Sequence, residues 1–288
     1  MVGIEKRFLN SVVALGVSVP TPNDSNHKHW VGTGFLVGFH RDNDEVYLIT
    51  NKHVVQDQTI LFIRFNTLDG ASANDFPFRI KDEKGLIQFS FHPNPHIDIV
   101  AVSLNLDFLK SNNSSFDFYD LEKDVYTLEQ MESNQLHEGS LVFALGFPMN
   151  LVDQDRQYPI CRLGCISRIS NAFDVENAVD FLVDAQTFPG NSGGPIVSRA
   201  ECATSRQKKG LLGIVRAYIP YQEALYSMQT GRQRSMMEEN SGLTVVHPVD
   251  RILEVVKYEQ TRISLLEAKP KKKSRKMTTS TPKKADAK

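Results

Sequence analysis

Apolar residues recur along this chain in short runs, each closed by turn-forming or polar residues: 12–19, 34–39, 46–50, 59–65, 97–104, 141–145, 179–183, 195–197, 211–217 and 243–246. The runs are rich in Val, Ile, Leu and Phe and too short for helices, so they predict an all-β chain. Arg41-Asp42-Asn43-Asp44 between two of them reads as a hairpin turn and not a calcium loop, because the later glycine and distal glutamate of such a loop are missing. Polar residues over about 105–138, including Asn112-Asn113-Ser114-Ser115, divide the runs into two groups. Two β-barrels are predicted, one over about 1–105 and one over about 139–247, joined by a linker of about 106–138.

Past Pro248 the apolar period changes. Ile252, Val255, Val256, Tyr258, Ile263 and Leu266 form a stripe at helical spacing, which predicts a C-terminal helix over 248–268 docked on the second barrel. The stretch 217–242 is long for a connection between strands and carries Tyr218, Tyr221, Tyr226, Met228, Met236 and Met237. It reads either as a lid or substrate-contact loop beside the pocket or as a surface helix packed on the barrel.

Composition changes this picture little. A 288-residue chain with 41% hydrophobic and 23% charged residues can bury a sizeable core. No apolar run approaches the roughly 20 residues of a membrane helix. The nearest, Phe8 to Val19 after Lys6 and Arg7, is interrupted by Asn10 and Ser11 and lacks a small-residue cleavage site, so it reads as a first barrel strand and not a signal peptide. Cys161, Cys165 and Cys202 are too few for a disulfide scaffold; they read as buried free thiols in a reducing, cytoplasmic setting. With no fourth ligand evident beside them, and only His27 and His29 elsewhere at close spacing, no metal site is expected.

Charge is uneven. The whole chain is −1, yet 269–288 holds nine Lys or Arg and one Asp, so the preceding body is acidic. Nearly devoid of large apolar residues, this tail reads as disordered. Its charge would attract nucleic acid, an anionic membrane surface or an acidic partner; a merely solvated tail is the plain alternative.

Candidate chemistry centres on Phe188-Pro189-Gly190-Asn191-Ser192-Gly193-Gly194-Pro195. A serine hydroxyl needs a base to take its proton and fixed donors to hold an oxyanion. Glycines beside Ser192 let the Gly190 and Ser192 N–H groups turn towards one point, as no Cβ restricts them. His53 closes an apolar run in Ile49-Thr50-Asn51-Lys52-His53-Val54 and is the candidate base; seven other histidines, His247 among them, have no comparable setting. Asp98 interrupts the apolar Ile97-Asp98-Ile99-Val100, where a carboxylate is costly unless paired, and would orient His53. Asn240-Ser241-Gly242 imitates the nucleophile turn but lacks its second glycine and proline, so Ser241 reads as a turn residue.

With Gly32-Thr33-Gly34-Phe35-Leu36-Val37, Thr50-Asn51-Lys52-His53-Val54-Val55, Asp98-Ile99-Val100-Ala101-Val102 and Gly190-Asn191-Ser192-Gly193-Gly194-Pro195 in this order, the chain resembles the chymotrypsin-like serine peptidases, most closely the HtrA-type trypsin-like branch, over about residues 8–260. The order His, Asp, Ser also separates it from the other triad families. The resemblance implies two six-stranded antiparallel barrels with a C-terminal helix and no PDZ domain. It also implies a serine endopeptidase acting on protein or peptide substrates through His53, Asp98 and Ser192, without a cofactor. The alternative is a latent protease fold kept as a peptide-binding scaffold. By the same resemblance the substrate pocket is lined by Gln186, Thr187 and Phe188 and by the strand Gly213-Ile214-Val215-Arg216-Ala217, chiefly Ile214, Val215 and Arg216. No aspartate stands at its expected base, so a small or medium apolar side chain is expected there. Asn191 stands where secreted trypsin-like enzymes carry the aspartate that pairs with a freed N-terminus, which implies activity without N-terminal processing.

Overall fold

The structure, a computed structural model, describes residues 3–22, 27–41, 44–174, 178–199 and 209–268. The first half runs α1 (Lys6–Asn10), β1 (Val12–Ser18), β2 (Lys28–Phe39), β3 (Glu45–Thr50), α2 (Lys52–Val55), β4 (Ile60–Thr67), β5 (Asn74–Arg79), β6 (Ser90–Phe91), β7 (Val100–Ser103), α3 (Leu106–Ser111), β8 (Ser114–Ser115) and β9 (Tyr119–Asp120). The second runs α4 (Leu128–Ser133), β10 (Leu141–Gly146), β11 (Ile160–Arg168), α5 (Ser170–Asp174), β12 (Phe181–Asp184), β13 (Pro195–Ser198), β14 (Leu211–Tyr226), β15 (Gln233–Pro248) and α6 (Val249–Glu267).

The second set closes a six-stranded antiparallel barrel in the order β10-β11-β12-β15-β14-β13. The first set does not close. Its nine strands follow the path β5-β4-β1-β2-β3-β7-β6, with β8 on β4 and β9 on β2. The β2–β9 pair is parallel. Two corrections to the sequence reading follow. The first barrel is an open, curved half-barrel and not a closed six-stranded one, and part of the expected linker returns to it as β8 and β9. Pro77 in β5 cannot donate to a further strand, and β6 is only two residues long, so both ends of the path stop there.

A core shared by both sheets fixes their junction. Phe35 and Tyr119 of the first meet Phe143, Leu145 and Ile214 of the second, with Ile252 and Val255 of α6, all buried. Each sheet also has its own core. The expected strand from Phe8 is instead a helix followed by β1; the helix places Phe8, fully buried, in a stack on Tyr119 with ring centroids 5.0 Å apart. Helix α6 also differs from expectation. It packs on β6 and β7 of the first sheet as well as on β14 and β15, because fully buried Glu259 accepts from Ser90 Oγ at 2.6 Å, Ser103 N at 3.3 Å and Arg262. Tyr258 and Leu266 stay exposed.

The segment 217–242 is neither lid loop nor helix. It continues β14 and β15 as a paired arm, from Ala217↔Val245 to Tyr226↔Gln233, with bulges on the way. Cys161 and Cys165 were expected to be buried, yet Cys161 is exposed and Cys165 half-buried, since alternate positions of β11 face outwards. Four residues apart on one strand, they stand about 13 Å apart, beyond disulfide reach. Cys202, the centre of the 41–44 turn and the basic tail lie outside the described residues.

Glu138 shows a local electrostatic device. Its carboxylate accepts from Ile169 N (2.8 Å), Ser170 N (2.8 Å) and Ser170 Oγ (2.9 Å) where α5 begins, and these donors hold its pKa at about 2, below the ordinary 4.5. A lowered folded value means stability that is present above the ordinary pKa and lost as pH falls towards about 2. Glu138→Gln is expected to cost about 1 kcal/mol at pH 7, after allowing for solvent screening. Thermal melts should show the gap to the parent closing between about pH 4.5 and 2; a gap independent of pH would contradict the assignment.

Candidate active site at the barrel junction

His53 sits in the single turn α2, directly after β3. Asp98 lies just before β7, the neighbour of β3, so strand pairing alone brings the two residues together. The Asp98 carboxylate grips His53 twice, with Oδ1 accepting the backbone N–H at 3.0 Å and Oδ2 standing 2.5 Å from Nδ1. The Asp98 carbonyl accepts from Asn51 Nδ2 at 2.8 Å and Lys52 N at 3.3 Å. This leaves Nε2 as the ring nitrogen of His53 free to face the cleft.

Ser192 comes from the other barrel, on the turn before β13, and a strand of the first sheet holds that turn. Thr33, fully buried on β2, donates from Oγ1 to the Gly190 carbonyl at 2.6 Å, and its N–H donates to the Ser192 carbonyl at 2.9 Å. The Pro189 carbonyl accepts from Met149 N at 2.7 Å and the Asn191 carbonyl from Gly194 N at 2.8 Å. Because N–H and C=O of a trans peptide point opposite ways, the Asn191–Gly194 bond turns the Ser192 N–H away from its own turn, and the Pro189–Met149 bond points the Gly190 N–H away from Met149. Among the described residues neither has an acceptor within the protein, the condition for a pair of donors awaiting an anion. Met149 and Asn150 hold left-handed φ values of 55° and 58° beside this turn, a local strain of the kind found at functional sites. Asn191, buried, closes the turn by accepting the Phe188 N–H on Oδ1 at 3.0 Å.

His53, Asp98 and Ser192 line one cleft of about 440 Å³ with Thr187, Phe188, Val215 and Arg216, within the range of small-ligand and peptide pockets. Ser192 Oγ bonds the Arg216 carbonyl at 3.5 Å rather than His53. Of the expected lining, Gln186 and Ile214 are not there. Gln186 is exposed on the turn before Thr187, with φ 45°. Ile214 is fully buried in the shared core, because successive residues of a strand face opposite sides. Ala217, the end of the expected pocket strand, lines the cleft, and Tyr218 joins it. Arg216 is paired with Asp180 at 3.0 Å, so its charge is compensated. His247 stands in Val246-His247-Pro248-Val249-Asp250, where the final helix opens, and the sequence reading gave it no role in the site; its buried ring accepts the Asp98 N–H at 3.0 Å.

Two β-sheets of this topology, with a cleft where they meet, define the chymotrypsin-like double-barrel class. The chain belongs to the trypsin-like peptidase domain family, a family of serine endopeptidases: that family's model matches residues 32–202, more than half the chain. A curated relative from Marinomonas sp. (strain MWYL1), described as a probable periplasmic serine endoprotease DegP-like, is 21% identical over 176 residues, 61% of this chain and 29% of that protein. The chain thus spans less than a third of that relative's length. Among solved structures, the HtrA-type protease AlgW with a decapeptide matches 90% of this chain and 66% of its own, at 17% identity and a TM-score of 0.50, a likeness of fold. The MamO protease domain from Magnetospirillum magneticum, in its apo form, matches 86% of this chain and 96% of its own at 19% identity and a TM-score of 0.47. Among the described residues no helix is long and apolar enough to cross a membrane.

Proposed function

We propose that the protein cleaves peptide bonds through an acyl-enzyme formed on Ser192. The observation that carries this reading is the double grip of Asp98 on His53 in the cleft that also holds Ser192. With Nδ1 committed to Asp98, His53 takes the Ser192 proton on Nε2 as Oγ attacks the substrate carbonyl. The oxyanion that forms is held by the N–H groups of Gly190 and Ser192. His53 then returns the proton to the leaving amine, and water repeats the cycle to release the acyl group. Substrate displaces the long Ser192–Arg216 contact, since such bonds tighten only in the loaded site.

Phe188, Val215 and Ala217 make the cleft wall largely apolar, and the Arg216–Asp180 pair removes the charge that would select acidic residues. Cleavage after small or medium apolar residues is therefore expected in a peptide-library digest. Cleavage chiefly after Asp or Glu would contradict this account of Arg216. Asn191 is held within its own turn, Oδ1 accepting the Phe188 N–H while its buried Nδ2 has no partner among the described residues; a neutral amide fixed in this way supports activity without N-terminal processing. The reading as a whole is tested with a serine-directed fluorophosphonate: the parent should be labelled and Ser192→Ala should not. A folded parent that resists labelling would favour a protease fold retained as a peptide scaffold.

A further inference from the structure

A second histidine stands behind the first. His247, near the end of β15, is fully buried, and its two ring nitrogens face opposite kinds of partner. Nε2 accepts the backbone N–H of Asp98 at 3.0 Å. Nδ1 lies 3.0 Å from the Val179 carbonyl, and 2.6 Å from Asp180 Oδ1, an oxygen outside hydrogen-bond alignment. A donor facing Nε2 requires a lone pair there, and two oxygens facing Nδ1 require the proton there, so the ring is held as the neutral Nδ1–H tautomer. A proton on both nitrogens would set Nε2–H against the Asp98 N–H.

Among the described residues, everything else that holds Asp98 belongs to the first sheet. His53 takes the carboxylate, while Asn51 and Lys52 take the carbonyl. Among the described residues only the Asp98 N–H crosses to the barrel that carries Ser192, and it crosses to His247. We propose that His247 is a positioning residue which, by accepting the Asp98 N–H across the barrel junction, sets the Asp98–His53 pair at its working distance from Ser192. The charged groups around the ring fit this use. Asp180 faces Nδ1 and is itself tied through Oδ2 to Arg216 of β14 at 3.0 Å, and Arg251 of α6 fixes the preceding Ala178 carbonyl at 2.7 Å. His247 does not line the cleft, so its effect is on the nucleophile and not on the fit of a substrate.

The inference rests on Asp98, His53 and Ser192 acting together as proposed above, and its test separates the two. The second-order rate of fluorophosphonate labelling is measured for the parent, His247→Gln and His247→Asn, each with its melting temperature. A glutamine oxygen reaches the place of Nε2 and keeps an acceptor for Asp98; the shorter asparagine reaches only the region of Nδ1. The Gln variant should label close to the parent rate, and the Asn variant about 10- to 100-fold more slowly, as expected when a reacting group is displaced by about 1 Å. Equal rates for parent and Asn variant overturn the proposal, as do losses in both variants that follow melting temperature alone. Nitrogen-15 NMR of the histidines in the folded parent adds a readout that requires no variant to fold. It should show His247 as the Nδ1–H tautomer at neutral pH, and an Nε2–H or doubly protonated ring overturns the role. A parent that is not labelled at all removes the triad and this role together, whereas a labelled parent matched by the Asn variant removes this role alone.

Discussion

Peptide turnover is expected to fall by about 10⁴- to 10⁶-fold in Ser192→Ala and in His53→Ala, with circular dichroism and melting temperature little changed. The size follows from the division of labour in the cleft. Without Oγ no acyl-enzyme forms, and without His53 the hydroxyl keeps its proton. What remains is catalysis by the Gly190 and Ser192 N–H donors and by substrate positioning. Neither side chain carries the fold: Ser192 Oγ makes one long bond at 3.5 Å, and the His53 side chain is 46% exposed. The double variant Ser192→Ala/His53→Ala should be no slower than either single one, because the two act as a unit. Losses that multiply in the double variant, or a Ser192→Ala protein that retains peptide cleavage, would show that the chemistry runs elsewhere.

Gly193→Ala should remove activity and stability at once. Gly193 holds φ +84°, and a Cβ there would stand 2.1 Å from the Thr33 carbonyl oxygen and 2.4 Å from Thr50 Oγ1, both on the first sheet. A left-handed alanine costs about 1–2 kcal/mol by itself, and the clash with backbone adds more, so a loss above about 3 kcal/mol is expected. The natural control is Gly85→Ala. Gly85 has a similar φ of +77° with nothing within 4 Å of the added atom, and should show the backbone cost alone. Thermal melts and labelling rates of the two variants decide the matter. If Gly193→Ala melts and labels like Gly85→Ala, the close approach of β2 to the nucleophile turn is not what confines it.

Much of this was legible in the chain. The runs 46–50, apolar up to Thr50, and 141–145 are unbroken because those strands are buried, and both lie inside observed strands. Strand β11 was missed because its Ile160-Cys161-Arg162-Leu163 start is mixed on both faces and largely outward. The arm of β14 and β15 was read as a loop or helix because the segment is long for a connection and Met236-Met237-Glu238-Glu239 shows no apolar–polar alternation, a pattern that a two-stranded ribbon exposed on both faces permits. In the pocket, motif position suggested Gln186 and the strand from Gly213 to Ala217, and only the tertiary structure could show that Ile214 turns into the core while Ala217 and Tyr218 line the cleft.

The sequence by itself determined the strand-forming runs, the membership of a peptidase family and the three motifs that place His53, Asp98 and Ser192 at strand ends. Those are local matters, decided by hydrophobic period, by the freedom of glycine and by the cost of a lone carboxylate among apolar residues. The tertiary structure alone decided how the two sheets lock across the cleft. Thr33 reaches from β2 to two carbonyls of the nucleophile turn, and His247 reaches from β15 to the Asp98 N–H. These partners lie 149 residues or more apart in the chain, and a hydrogen bond is specified by position and direction in space, which no spacing along a strand can encode.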